Sequence, residues 1–306
     1  MSEPSLEIFH GRTVANRLMT LVAATRPAFL TASVLPVVVA GALVHHLQGH
    51  VSIPLLVLAS INIALIHSGA NVLNDYFDGL SGTDDNNSSR IFPFSGGSRF
   101  IQNSVLSLDE TRNLGLALLI MGGLLGLAFA WLTGPALLLV GVVGGILALT
   151  YSAPPCLACR GLGDVVIATA FGILPVVGTS LILMHTIPAA AWWAGAIVGC
   201  YVAAILWANS IPDIAADRTA GKMTIPARLG AAKAALLLPA WFAAGFSLLV
   251  LSPLPFATWI MLLAALPAGI ATHAILAGRL IPALPVTILT HALACALLAA
   301  GLLLAH

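Results

Sequence analysis

Charge is what this chain has least of. Only 8% of its 306 residues are Asp, Glu, Lys or Arg, against 59% hydrophobic residues. The mean hydropathy is +1.03. Soluble domains carry about 25% charged residues, so a soluble globular domain is excluded and an integral membrane protein is expected. Basic clusters are also missing. With a net charge of +1 and no basic tail or patch, nothing argues for nucleic acid as a partner. Cysteine is sparse: four residues are too few for a disulfide scaffold. Cys200 and Cys295 lie in apolar runs and read as packing residues. Cys156 and Cys159 form a Cys-x-x-Cys in a loop, but the second pair or the spaced histidines of a zinc site do not follow. A signal peptide is not evident either. Residues 1–26 carry Glu3, Glu7, Arg12 and Arg17 without a strong apolar core, and are expected to lie on the cytoplasmic surface, in part as a short amphipathic helix.

What is abundant is the long apolar run. A membrane helix needs about 20 such residues. Nine runs qualify: 27–46, 53–76, 111–132, 134–152, 162–184, 189–211, 233–252, 256–277 and 283–304. The expected fold is all-α, a single membrane domain over 1–306 with nine transmembrane helices around a central cavity. Ser107-Leu108-Asp109-Glu110 reads as a capping box opening the third run, and Pro27 suits a first helical turn. Two connections are long, 77–110 and 212–232. With nine spans, all 12 Lys/Arg and all 11 Asp/Glu fall on one face or at adjoining helix ends. The positive-inside rule makes that face cytoplasmic, in a cell inner membrane. The opposite loops carry histidines such as His45, His46, His50 and His185.

The acidic residues are patterned. Asn71, Asp75 and Asp78 stand at i, i+4, i+7, and Asn209, Asp213 and Asp217 at i, i+4, i+8, each set ending an apolar run. On helices each set makes one polar stripe. Carboxylates at a membrane helix end are costly without a cation or partner. Magnesium takes oxygen ligands and bridges carboxylates to phosphates. Two stripes therefore read as a Mg2+ clamp on a polyanion, with Asn71, Asp75, Asp78, Asp213 and Asp217 as ligands. Asn71, Arg90, Arg99, Arg160 and Lys222 are candidate diphosphate contacts. The turn Phe94-Ser95-Gly96-Gly97-Ser98-Arg99 offers backbone N–H groups for the same purpose. Asp84, Asp85, Asp109 and Glu110 read instead as solvated loop or cap residues. His67, His273 and His291 lie inside spans, where a buried, hydrogen-bonded role is favoured over a proton-carrying one. Pro212 interrupts the helical hydrogen-bond ladder, so Asp213 is expected on a kinked or unwound turn. Ion sites of a secondary transporter are an alternative reading, although such sites belong near the bilayer midplane.

At these residues the chain resembles the UbiA superfamily of intramembrane prenyltransferases. Asn71-x-x-Asn74-Asp75-Tyr76-x-Asp78, followed by Gly82-Thr83-Asp84, is similar to its first motif. Asp213-x-x-x-Asp217-Arg218-x-x-Gly221-Lys222-x-Thr224 with Arg228-Leu229-Gly230 is similar to its second. Tyr151 and Arg160-Gly161-Leu162-Gly163-Asp164 resemble the segment between them. The first motif and the Arg-Gly-Leu-Gly-Asp stretch look most like the 1,4-dihydroxy-2-naphthoate prenyltransferases of menaquinone synthesis. Two positions depart from them: Pro212, where many have arginine, and the Ser95–Arg99 turn, where many have a Gly-Pro form. The resemblance implies a membrane enzyme that transfers a prenyl group, with Mg2+, from a prenyl diphosphate to a small aromatic acceptor. It implies Asp75, Asp78, Asp213, Asp217 and Tyr151 as catalytic residues, and a tail-binding tunnel open to membrane lipid. A terpene cyclase, or transfer to another acceptor, is the alternative within the same fold.

Overall fold

The computed structural model describes residues 3–9 and 13–305. Arg12, one of the basic residues counted above, lies outside them. Among the described residues the chain is all-helical. A short helix, α1 (Val14–Ala24), starts at Thr13, whose side chain accepts from Asn16 N. Its Val14, Leu18, Met19 and Val22 are exposed along one face, as in a helix that lies on a membrane surface.

The spanning helices follow. A 3-10 turn over Pro27–Leu30 leads into α2 (Thr31–Gln48). Then come α3 (Ile53–Ser81), α4 (Leu108–Thr133) and α5 (Pro135–Thr150). Next, α6 (Gly163–Ala168) passes through a π-helical turn over Thr169–Ile173 into α7 (Leu174–Met184). After α8 (Ala189–Ser210) come two short helices, α9 (Ile214–Thr219) and α10 (Ile225–Leu229). The chain ends with α11 (Ala231–Leu251), a 3-10 segment over Phe256–Ala264 running into α12 (Ala265–Leu276), and α13 (Leu280–Leu304).

Each of the nine apolar runs coincides with helix, but the count of nine spans is not reproduced by length. Eight segments are long and apolar enough to cross a membrane among the described residues. The other, α5, has 16 residues and buries only Leu137. At 1.5 Å per residue it covers about 24 Å, short of the ~30 Å hydrocarbon core. The second run also outlasts its expected end at 76: α3 continues to Ser81, which keeps Asp78 helical. The helix closes on Gly82 at φ +70, a left-handed position that suits glycine.

The main core joins α2, α8, α11, α12 and α13 around Tyr201, Leu238, Met261 and Leu298. Helix α8 crosses the π-helical turn at backbone contact. A Cβ on Gly199 would lie 2.7 Å from Ala168 O, and one on Gly195 would lie 2.8 Å from Ile173 Cα. On the other side α3 packs on α4, and α4 on α5. Between these two groups the helices enclose a cavity of about 790 Å³.

Cys156 and Cys159 are joined as a disulfide, which the sequence reading did not foresee. Their Cα atoms are 5.2 Å apart on a tight turn, within bridging range. Cys200 and Cys295 are free and buried, as expected of packing residues.

Candidate active site

The cavity has one polar end. Its lower walls are mostly apolar, with Leu116, Leu119, Phe129, Leu137, Val140 and Ile182 from α4, α5 and α7, and hold Asn62, His67 and Thr179 as well. At the polar end stand Asn71, Asn74 and Asp78 from α3, then Asp84 and Asn87 from the following loop. Asn209, Asp213, Asp217 and Lys222 face them from the α8–α10 region, with Tyr151 and Asp164 beside them. Of the two stripes read from the sequence, every member but Asp75 thus lines one chamber. The second is not one continuous helix: α8 stops at Ser210, and Asp213 is the residue before α9, as Pro212 implied.

Asp75 lies just behind the glycine turn, its Oδ1 accepting from Ser98 N at 3.2 Å. That turn approaches because Gly97 has no side chain. A Cβ there would run into Asp84 Oδ2 and lie 3.1 Å from Asp75 Oδ1, and its φ of +72° suits glycine. Gly96 N donates to Asp213 Oδ2 at 3.4 Å, and Asn87 Nδ2 donates to Asp213 Oδ1 at 2.6 Å. The first-motif loop is therefore tied directly to the second motif. Lys222 Nζ is 2.9 Å from both carboxylate oxygens of Asp78, while Asn74 Nδ2 donates to Asp78 Oδ2 and to Ser152 Oγ. Asp217 accepts from Thr224 Oγ1 at 3.3 Å.

Of the residues expected to bind diphosphate, Asn71 and Lys222 line the cavity, whereas Arg90, Arg99 and Arg160 are not part of its walls. Arg90 Nε pairs with Glu3 at 2.7 Å, and its Nη1 donates to Asn87 O. Arg99 is buried, with Nη1 donating to Asp84 O at 2.6 Å. Arg160 is exposed and donates from Nε to Pro155 O. Arg26 lines the cavity instead, with its Nη2 donating to Pro93 O and its guanidinium 4.5 Å from the Phe29 ring centroid. Sequence reasoning passed over Arg26 and Asn87, which lie outside both stripes.

Asp84 corrects the expectation of a solvated loop acid. It is 4% exposed, and its Oδ2 has no hydrogen-bond partner. The signal was its fixed offset behind Gly82 in the first motif. Asp85 is exposed as expected, and Glu110 completes the Ser107 capping box while pairing with Arg17 at 2.6 Å.

The electrostatics are those of a chamber short of positive charge. Burial, then Asp78 and Asp75, push the Asp84 carboxyl up to about 8. Burial, reinforced by Asp213 and Asp78 against the pull of Lys222, raises Asp217 to about 7. Burial also raises Asp213, in spite of its bonds from Asn87 and Gly96. Burial pulls the Lys222 ammonium down, but Asp78 and Asp217 outweigh it and hold it above the usual lysine range. Among the described residues, no three of these groups stand close enough to enclose a metal as they are. The donor set nevertheless fits a hard divalent cation. The oxygens are carboxylate and amide, and Asp84 Oδ2 and Asn209 Oδ1 are buried without partners.

A bundle of membrane helices thus surrounds a greasy cavity with carboxylates gathered at one end. The UbiA prenyltransferase family profile matches residues 33–281, and the chain belongs to that family. It is 29% identical over 222 residues to the 1,4-dihydroxy-2-naphthoate octaprenyltransferase of Mycobacterium tuberculosis, covering 71% of this chain and 72% of that protein. It is 30% identical over 190 residues to the Escherichia coli protein of the same name, covering 60% of each. Its fold is similar to that of a UbiA homolog from Aeropyrum pernix K1, with a TM-score of 0.64, 22% identity, and coverage of 90% of this chain and 97% of that one. A UbiA homolog from Archaeoglobus fulgidus bound to DMAPP and Mg2+ gives a TM-score of 0.59 at 18% identity, covering 91% of this chain and 99% of that one.

Proposed function

We propose that this membrane prenyltransferase moves a prenyl group from a prenyl diphosphate to an aromatic acceptor, 1,4-dihydroxy-2-naphthoate in menaquinone synthesis, with Mg2+ as cofactor. The active site opens to the cytoplasm of a cell whose inner membrane holds the enzyme. The observation that carries this reading is the joining of two carboxylate stripes over one apolar cavity. The names of the relatives support the acceptor.

Asp75, Asp78, Asp84, Asp213 and Asp217, with Asn71 and Asn209, are the residues that would hold Mg2+. Bound there, it supplies positive charge against the diphosphate. Lys222 adds an ammonium in the same chamber. Arg90 and Arg99 act on the site through the loop they brace, and Arg160 is exposed outside the cavity walls. The apolar walls take the prenyl tail and exclude water, which would otherwise trap an allylic cation as alcohol. Tyr151, on the cavity wall, presents an aromatic face to that cation. The acceptor ring attacks the allylic carbon as diphosphate leaves, and the ring carbon then loses a proton or carbon dioxide.

The test is diphosphate release by purified protein in detergent, with geranylgeranyl or longer prenyl diphosphate, magnesium and a panel of aromatic acids. Release coupled to a prenylated dihydroxynaphthoate, and abolished by chelator, is the expected result. Release without an adduct would replace transfer by cyclisation or by an acceptor of another kind.

A further inference from the structure

His67 has no part in the diphosphate chemistry above, yet it lines the same cavity. It lies on α3 one turn below Asn71 and two turns below Asp75, about 12 Å along the helix axis from the latter. The imidazole is held on two sides. Its Nδ1 is 2.9 Å from Ser33 Oγ, and its ring stands 4.4 Å, centroid to centroid, from Phe171 on the π-helical turn.

The hydrogen-bond chain decides its tautomer. Ser33 Oγ is 3.0 Å from Leu30 O, and a carbonyl only accepts, so the serine spends its single proton there. With the hydroxyl proton on Leu30 O, the serine oxygen accepts from His67 and Nδ1 carries the ring proton. That leaves Nε2, on the opposite edge of the ring, with a bare lone pair. The first prenyl carbon of a diphosphate held at the carboxylates lies beside the head, and an acceptor ring that met it from below would lie between the head and His67, which is one turn, about 6 Å, from Asn71.

We propose that His67 Nε2 takes the proton of a ring hydroxyl on the acceptor. The proposal rests on the prenyl-transfer reading and adds a base to it. As the ring carbon bonds to the first prenyl carbon, the C–O bond to diphosphate breaks and its electron pair leaves with diphosphate. The O–H pair becomes the C=O of a dienone, and the proton sits on His67. When the substituted carbon then sheds its proton to solvent, or its carboxylate as carbon dioxide, those electrons regenerate the ring oxygen. His67 returns the proton to it. Ser33 and Phe171 are positioning residues for this group.

The experiment compares wild type with His67→Phe, His67→Gln and Ser33→Ala, using acceptors that carry a free hydroxyl or its methyl ether. Folding is checked by thermal melting, and labelled prenyl diphosphate binding is measured with magnesium. His67→Phe is expected to lower kcat/KM for the hydroxylated acceptor at least 50-fold, with prenyl diphosphate affinity within threefold of wild type. His67→Gln, which can accept a hydrogen bond but not a proton, is expected to recover acceptor KM and not kcat. Ser33→Ala frees the tautomer and is expected to lower kcat several-fold. With the methyl ether, wild type and His67→Phe should be equally slow. A folded His67→Phe protein within threefold of wild type overturns the proposal alone, as does an equal loss on the methyl ether or a parallel loss of prenyl diphosphate affinity. A wild type inert toward every hydroxylated ring overturns the prenyl-transfer reading itself.

Discussion

Asp84 and Asp217 show how a single carboxylate here is defined by its neighbours rather than by its position in the chain. Both titrate well above the usual 3.8, Asp84 at about 8 and Asp217 at about 7, because burial among other carboxylates disfavours their charge. The folded values lie above the unfolded ones. The stability these groups contribute is therefore full below about pH 4 and is lost as pH rises through 7 to 8. Melting temperature in chelator should accordingly fall between about pH 4 and about pH 8 and level off above, and added magnesium should remove most of that fall. A pH-independent melt in chelator would show that the chamber is already neutralised. Asp75 and Asp213 belong to opposite motifs and are both hydrogen-bonded by the glycine turn. Asp75→Asn and Asp213→Asn, made separately, should each lower turnover about 100-fold or more, roughly 3 kcal/mol in the barrier. Full activity in either would sink the shared clamp.

At the scale of elements, the crossing of α8 with the α6–α7 segment places the cavity's back wall. It works only because Gly195 and Gly199 leave room for backbone contact. Gly199→Leu should push Ala168 and the π-helical turn away, costing about 1–3 kcal/mol or more, read as a lower melting temperature and a weaker acceptor KM. The loop of Lys222 is held from two sides. Lys222 N donates to Asp217 O at 2.7 Å, and Met223 N donates to Cys159 O at 3.2 Å. The disulfide turn therefore buttresses the loop that carries the chamber's ammonium. Likewise Glu3, through Arg90 and Asn87, is linked to Asp213.

Across the whole molecule, the bundle divides its labour. Helices α11 to α13 with α2 and α8 form the packed core, while α4 and α5 stay loosely covered and wall the tunnel. Gly123, Gly141 and Gly145 line the cavity, and a Cβ at any of them meets nothing within 4 Å. These positions keep the tunnel wide. Gly145→Leu should narrow it, lowering kcat/KM for geranylgeranyl diphosphate at least tenfold while sparing dimethylallyl diphosphate. Equal effects on both chain lengths would place the tail elsewhere.

Hydropathy and residue spacing are local properties, and what depended on them was legible in the chain alone. The membrane class, the all-helical architecture, the nine apolar runs and the two Asn/Asp stripes could all be read from residues a few positions apart. The Ser107 cap and the break at Pro212 were legible for the same reason. Only the tertiary structure decided which charges meet. Asn87 reaches Asp213 across 126 residues, and Lys222 reaches Asp78 across 144. Such contacts come from helix packing and loop return, to which periodicity is blind. For that reason Asp84 moved from solvent into the chamber, Arg90 and Arg99 turned toward Glu3 and a backbone carbonyl, and Arg26 took a place on the wall. The tautomer of His67 likewise depends on Ser33, 34 residues away on a neighbouring helix.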